Sequence, residues 1–344
     1  MKVRRRIVLQ MGAGAIVATV LHSCTQTSQT KSGSDRVAQS TRKAETAKKL
    51  IIGYWPIAGS LPLYLALEKG YFKEAGLEVE AAKFGGAQQV VEGLLAGRVQ
   101  ASGCGTGSAN LALGEILQPG LFKIIASNLC NAQNVLDEII VPKNSPIETI
   151  AELKGKKIAS GPGPQNQTLA KGILEKNGVT DAQIIPMEVK QHVPAISSGQ
   201  VDAAYTLEPT GTIGNLKGIT RILDSGVIAK YILGNPNAAW FGGSAALSTQ
   251  FIQENPETAK KYIEVHRRAV KSIRDNPDDA RKYLAGYTAI EGDLAQAVPI
   301  PAYTMYDEFT DSQLKDFQTF FDYMTEQNVF SKKVDVTSLI YKTT

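Results

Sequence analysis

The stretch Gly53-Tyr54-Trp55-Pro56-Ile57-Ala58-Gly59-Ser60-Leu61-Pro62 opens a run that continues through Gly70-Tyr71-Phe72-Lys73-Glu74-Ala75-Gly76-Leu77-Glu78-Val79 and Phe84-Gly85-Gly86-Ala87-Gln88. It closes with Ala96-Gly97-Arg98-Val99-Gln100-Ala101-Ser102-Gly103-Cys104-Gly105-Thr106-Gly107-Ser108. Three apolar, strand-like segments each stop at a loop of glycine, small hydroxyl residues and aromatics, and each loop starts a helix-like segment. In an open α/β sheet such loops sit at the carboxyl ends of strands, where ligands bind. They also aim free backbone N–H groups at that ligand.

Working outward, Leu50–Tyr54, Leu77–Lys83 and Val99–Gly103 read as strands. Helices read over Leu61–Lys69 with Ser60 as cap, over Gln88–Leu95, and over Ser108–Leu117. Phe122–Asn128 and Glu138–Pro142 follow as strands, giving the βαβ alternation of a doubly wound sheet. The pattern then restarts. Ile158–Ser160 stops at Gly161-Pro162-Gly163-Pro164-Gln165-Asn166-Gln167-Thr168, a helix runs to Asn177, and Ile184–Val189 is a strand. Ser198-Gly199-Gln200-Val201-Asp202-Ala203 repeats the small-Gly-x-Val-polar-Ala pattern of Ala96–Ala101. Two similar α/β lobes are the physical reading of that repeat. Helices over Thr249–Glu254, Pro256–Arg274, Asp278–Leu284 and Ser312–Gln327 complete the chain.

The order strand, Ser-Leu-Pro helix, Gly-Tyr-Phe-x-x-x-Gly-Leu-x-Val, Gly-Gly, Gly-x-Val-x-Ala resembles the solute-binding proteins of ABC importers. The likeness is to the nitrate/sulfonate/taurine/bicarbonate and thiamine-pyrimidine (NMT1-like) group. It covers about Leu50 to Phe330 and identifies family better than ligand. The resemblance implies a two-lobed type II periplasmic-binding-protein fold, each lobe a doubly wound, mainly parallel sheet with the ligand in the cleft between them. It implies a small-molecule ligand, partnership with a permease and an ATPase, a monomer, no cofactor and no catalysis. The divisions expected are 1–23 signal peptide, 24–48 anchor and tether, 49–142 first part of lobe 1, 143–243 lobe 2, and 244–344 return to lobe 1.

The amino-terminal segment reads as a targeting signal. Lys2, Arg4, Arg5 and Arg6 precede an apolar run, Ile7 to Leu21. Leu21-His22-Ser23-Cys24 resembles a lipobox, with Cys24 the lipidated residue. Arg5-Arg6-Ile7-Val8-Leu9-Gln10 resembles a twin-arginine export motif, and an ordinary charged signal is the alternative. The polar stretch 25–48 reads as a tether. These features place the protein outside the cytoplasm on a membrane anchor. Without those four basic residues, 33 Lys and Arg face 33 Asp and Glu, so the charge gives no basis for nucleic-acid binding. Cys104 and Cys130 read as buried thiols in preference to a disulfide, and His192 and His266 lack the companions of a metal site.

The loops nominate Tyr54, Trp55, Ser60, Gly85, Gly86, Thr106 and Ser108 from the first lobe. Glu138 lies at the expected boundary, and Gly161, Gln165, Thr168, Tyr205 and Glu208 come from the second, with Trp240 near the return crossing. Lys83 is the sole cation beside these motifs, so the carboxylates favour a nitrogen-rich planar or cationic ligand, such as an aminopyrimidine or guanidinium compound. An anion held by helix N-termini and hydroxyls is the alternative, and Glu208 also reads as a structural cap or hinge bond. A pyrimidine-synthesis-like enzyme and a periplasmic sensor are readings of other classes. Gly103-Cys104-Gly105-Thr106-Gly107 lacks a P-loop lysine, and no nucleophile elbow is present.

Overall fold

The computed structural model describes residues 49–343, so the expectations for the signal, Cys24 and most of the tether lie outside the described residues. Among the described residues, twelve strands form two sheets. They are β1 (Leu50–Tyr54), β2 (Val79–Lys83), β3 (Ala101–Ser102), β4 (Thr106–Gly107), β5 (Phe122–Leu129), β6 (Asp137–Pro142), β7 (Lys157–Ser160), β8 (Gln183–Pro186), β9 (Ala203–Leu207), β10 (Thr220–Ser225), β11 (Gly243–Ser248) and β12 (Ala302–Met305). The first sheet has the order β12-β5-β11-β3-β1-β2, with β4 paired to β11, and the second β10-β6-β9-β7-β8.

Each sheet is mixed, a correction to the mainly parallel sheets expected. β1 runs parallel to β2 and β3, and β7 runs parallel to β8 and β9. β11 and β12 return antiparallel beside β5, as does β6 between β9 and β10. The reason is topological: a chain that leaves a sheet and re-enters it need not keep the strand direction that a βαβ crossover imposes. β4, β10 and β12 are strands the sequence reading did not name.

The lobe boundaries also shift. β6 already belongs to the second sheet, so the first crossing falls at residues 130–136, ahead of the division expected after 142. The return lies between β10 and β11. The crossings run side by side: Cys130 N donates to Trp240 O at 2.9 Å and Trp240 N donates to Cys130 O at 3.0 Å.

The helices that matter for the site are α1 (Leu61–Glu68), α2 (Tyr71–Glu74), α3 (Ala87–Leu95), α4 (Ser108–Leu117), α5 (Pro164–Lys176), α6 (His192–Ser197), α7 (Thr210–Leu216), α8 (Thr249–Glu254) and α9 (Pro256–Asp275). The repeated motif marks helix ends. Gly97 and Gly199 have φ of 65° and 72°. Nothing lies within 4 Å of a Cβ built at either, so the left-handed backbone, and not crowding, calls for glycine. Arg98 N donates to Gly93 O and Gln200 N to Ala195 O, closing each helix alike, and Val99 and Val201 then enter the core. α9 buries Ala259, Tyr262, Ile263, His266, Ala269, Val270 and Ile273 along one stripe, the period of an amphipathic helix. α1 is buried over most of its surface, from Leu61 to Ala66, because it lies beneath α9. Ser60 does not cap it; its Oγ instead accepts from Gly105 N at 3.2 Å.

Candidate functional site

Three helices bring their amino ends to the seam between the lobes, α3 and α4 from the first and α5 from the second. None has a bond from the side chain of its own N-cap residue or an acid in its first turn. Ala87 of α3, Asn110 of α4 and Gln165 of α5 line one small chamber, which the positive ends of the three dipoles therefore adjoin, while Ser108 N and Ala109 N of α4 are already bonded to Gly242 O and Gln165 Oε1. Trp55, Ala87, Gly107, Asn110, Gln165 and Trp240 contribute to its wall, and no charged side chain among the described residues does. The packing leaves about 10 Å³ there, about the room of one water.

Asn110, in the first turn of α4, is 2% exposed, and neither its side-chain oxygen nor its nitrogen has a partner among the described residues. Trp240 Nε1 is likewise buried and unbonded. Such groups cost free energy unless something meets them. Gln165 ties the lobes together: its Oε1 accepts from Ala109 N at 2.8 Å and its Nε2 donates to Gly242 O at 2.9 Å. Gly107 is required for this approach, since a Cβ there would lie 2.7 Å from Asn110 Nδ2 and 2.8 Å from Gln165 Oε1. Asn128 fixes the opposite wall, accepting from Gly243 N at 2.8 Å and donating to Cys104 O at 3.0 Å. Trp55 Nε1 donates to Gly105 O at 2.6 Å.

Trp55 and Ile57 separate this chamber from a wider mouth of about 390 Å³. The mouth is lined by Lys83, Phe84 and Gly85 on one lobe and by Glu188, Lys190 and Thr210 on the other. Glu188 pairs with Lys190 at 2.6 Å, so one lysine of the two is left over and the mouth is mildly positive. The inner chamber, being desolvated and built of donors, is where a ligand's charge would be read; the mouth suits the rest of the molecule.

The sequence-nominated residues divide among several places. Trp55, Gln165 and Trp240 meet in the inner chamber, and Gly85 lies in the mouth. Gly86 precedes α3 and packs on Pro162 of the other lobe, where a Cβ would stand 3.0 Å from Cγ. Gly161 packs on Asn166, whose Nδ2 a Cβ would approach to 2.7 Å. Tyr54 stands edge-on to Tyr64 in the core, ring centres 5.5 Å apart. Ser108 Oγ shares a hydrogen bond with Ser244 Oγ at 2.9 Å, and Ser244 with Ser127 at 2.6 Å, a buried hydroxyl chain from the start of α4 into the sheet. Thr106 and Tyr205 are buried with hydroxyls unpartnered among the described residues. Thr168 sits half-buried in α5. None of Tyr54, Thr106, Ser108, Thr168 and Tyr205 lines either chamber. Cys104 and Cys130 are free thiols.

Glu138 and Glu208 require a correction. Their side chains line neither chamber but a third cavity, against another face of α7. Glu208 Oε1 accepts from Thr212 Oγ1 at 2.8 Å and Oε2 from Thr212 N at 3.2 Å. Only its backbone serves the seam, with Glu208 O accepting from Ala58 N at 2.8 Å across the lobes. Burial pushes the Glu208 carboxyl up to about 7. Burial, then the nearby Glu208 and Asp137, hold Glu138 well above the usual carboxylate range. The sequence reading missed Asn110, Asn128 and Lys190. Asn110 carried a usable signal, an amide in the first turn of a mainly apolar helix, directly after the glycine-rich loop.

A family model described as NMT1/THI5 like matches residues 58–280. A provisionally named aliphatic sulfonates-binding protein of Bacillus subtilis is 25% identical over 289 residues, 82% of this chain and 83% of that protein. The periplasmic aliphatic sulphonate binding protein SsuA of Escherichia coli superimposes with a TM-score of 0.67 at 21% identity, covering 86% of this chain and 92% of that one. The alkanesulfonate-binding protein SsuA of Xanthomonas axonopodis pv. citri, bound to MOPS, gives a TM-score of 0.69 at 20% identity, covering 87% and 99%.

Proposed function

The chain belongs to the NMT1/THI5-like family and has the two-lobed periplasmic-binding-protein fold; from that premise we propose that it is the solute-binding subunit of an ABC importer and that its solute is a small organic anion of the alkylsulfonate class. The observation that carries the charge assignment is the inner chamber: the starts of three helices with no acid in their first turns, the unbonded Asn110 amide, and no carboxylate among the described residues on its wall. A sulfonate offers three acceptor oxygens and one delocalised negative charge. Backbone N–H groups at helix starts meet such a group without a lysine or arginine. The names of the sulfonate-binding relatives support the same choice. The nitrogen-rich, cationic ligand favoured by the sequence loses its basis once Glu208 is turned toward Thr212.

The 10 Å³ left in the chamber cannot admit a sulfonate, so capture needs the lobes to part and close again. The two antiparallel crossings, paired at Cys130 and Trp240, supply the axis for that rotation. Delivery to a permease and an ATPase follows from the importer role, as does an extracytoplasmic location on a lipid at Cys24. Mass spectrometry of the native protein is expected to find acylated Cys24 as the first residue, and an unmodified Cys24 inside an intact amino terminus would refute the anchor. Isothermal titration tests the ligand class. Short alkylsulfonates are expected to bind one per chain and be recovered unchanged, while guanidinium and aminopyrimidines give no heat. Binding of the cations with no response to sulfonates would overturn the assignment.

A further inference from the structure

The cavity beside α7 holds a pair of groups that the anion site does not use. Glu138 and Glu208 are each 0% exposed, and both line this space of about 230 Å³. Among the described residues, no Lys, Arg or His shares its wall. Glu208 is held by Thr212, but neither Glu138 oxygen makes a well-formed hydrogen bond among the described residues, the Gly211 N–H beside it favouring the ionised form only weakly against burial. The backbone is shaped to seat that carboxylate: a Cβ on Gly211 would fall 1.5 Å from Glu138 Oε1, so glycine alone leaves it room. Ser225 stands directly across from Glu138 in the β6–β10 ladder and also faces the cavity, together with Asn215 and Thr212.

Two carboxylates buried side by side without a cation cost several kcal/mol unless something neutralises them. Every polar group offered is oxygen or a side-chain amide. With no thiolate and no imidazole present, the set is one for a hard cation rather than zinc or copper. Two carboxylate charges balance one divalent ion, and the cavity has space for waters to complete six to eight ligands. We propose that the cavity between α7, β10 and the segment at Ala297–Pro299 binds a divalent cation of the calcium type through Glu138 and Glu208. The site is separate from the anion chamber and does not rest on the sulfonate assignment. Its occupancy would lock the start of α7, whose preceding residues, Glu208 and Pro209, form the seam and the mouth.

The test uses the whole chain, stripped with chelator and titrated with calcium chloride, with magnesium and sodium chloride as comparators. One calcium per chain is expected, with a Kd on the order of 10⁻⁴–10⁻³ M as for extracellular calcium modules, accompanied by a rise in Tm. Glu138→Gln should weaken calcium binding at least about tenfold, while Asn110→Ala should leave it unchanged. Glu208→Gln, which keeps an acceptor for Thr212, serves if Glu138→Gln does not fold. No heat and no Tm shift at about 10 mM calcium, well above the Kd range, would overturn the proposal and leave a proton as the group that neutralises the pair. Undiminished calcium binding by the foldable variant would overturn it equally.

Discussion

Asn110→Asp is the sharpest perturbation of the anion chamber, because it changes charge while keeping shape. Asn110 is the third residue of α4, a position where a negative charge favours the helix by about 0.3–1 kcal/mol. That offsets only part of the cost of burying an unpaired carboxylate, so the melting temperature should fall while the fold holds at the assay temperature. Binding should be lost. The lost amide donor removes a charge-assisted hydrogen bond to the sulfonate, about 1.5–3 kcal/mol. The new carboxylate adds like-charge repulsion, about 4 kcal/mol at about 4 Å with an effective dielectric constant near 20. The sum of roughly 5.5–7 kcal/mol is a loss of about 10⁴-fold or more. Partial protonation of a buried Asp lowers this, so a loss of at least about 1000-fold is the working expectation. Asn110→Ala removes the hydrogen bond alone and should cost about 10- to 150-fold. Isothermal titration with a short alkylsulfonate reads both. If Asn110→Asp binds as well as Asn110→Ala, no anion sits at the start of α4. If it instead acquires affinity for guanidinium at no loss of the native ligand, the charge assignment is wrong.

Three further outcomes follow from the geometry. Gln165→Ala deletes two bonds between the lobes, each worth about 0.5–1.5 kcal/mol; sulfonate affinity should fall by about 5- to 150-fold, and small-angle scattering should give a larger radius of gyration, whereas unchanged values of both would show that the clamp is idle. Gly211→Ala should destabilise strongly in urea melts, since its Cβ strikes Glu138, and Glu138→Ala should relieve part of that cost; a coupling of about 0.5–3 kcal/mol is expected and strict additivity would refute the contact. In calcium-free buffer, Glu138→Gln should gain on the wild type as pH rises from about 5 to 8. The folded Glu138 carboxyl titrates above its ordinary 4.5, so the native state holds more protons than the unfolded one and loses stability with rising pH. His192 and His266, lowered to about 4 by burial, act in the opposite sense, losing stability as pH falls below 6.5, but equally in both proteins. A Glu138→Gln deficit that deepens at higher pH would refute this.

The parallel parts of the fold were legible because their signals are local. β1 falls at Leu50–Tyr54 and α4 at Ser108–Leu117, as read from apolar runs ending at glycine. The repeat was legible through Gly97 and Gly199, whose φ values glycine alone adopts freely. Antiparallel returns were not, because β11 beside β5 and β12 beyond it are pairings between segments far apart in sequence. The candidate site was half legible for the same reason. Trp55, Gln165 and Trp240 could be placed by the loops that carry them. Glu208 could not, since the loop lies in the seam while its side chain turns back to Thr212 four residues on. Asn110 gains its meaning only when a helix from the other lobe closes over it.

The two crossings at Cys130 and Trp240 also set the order in which the molecule can be completed. Lobe 2's sheet is drawn from one uninterrupted stretch, β6 through β10, and needs nothing after Ser225. Lobe 1 has the reverse dependence: its central strand β11 and its edge β12 arrive only after the whole of lobe 2 has been made. A chain emerging amino terminus first therefore carries β1, β2, β3 and β5 as an unfinished sheet, with a gap between β3 and β5, while lobe 2 assembles downstream. Long-range pairing of that kind slows folding, and the unpaired edges of β3 and β5 invite strands from other chains in the interval. Seam contacts such as Gln165 to Gly242 and Ala58 to Glu208 can form only when both lobes exist. The ligand chamber is thus among the last parts of this protein to come into being, and a chain interrupted between Ser225 and Trp240 would carry every strand of lobe 2 and an incomplete chamber wall.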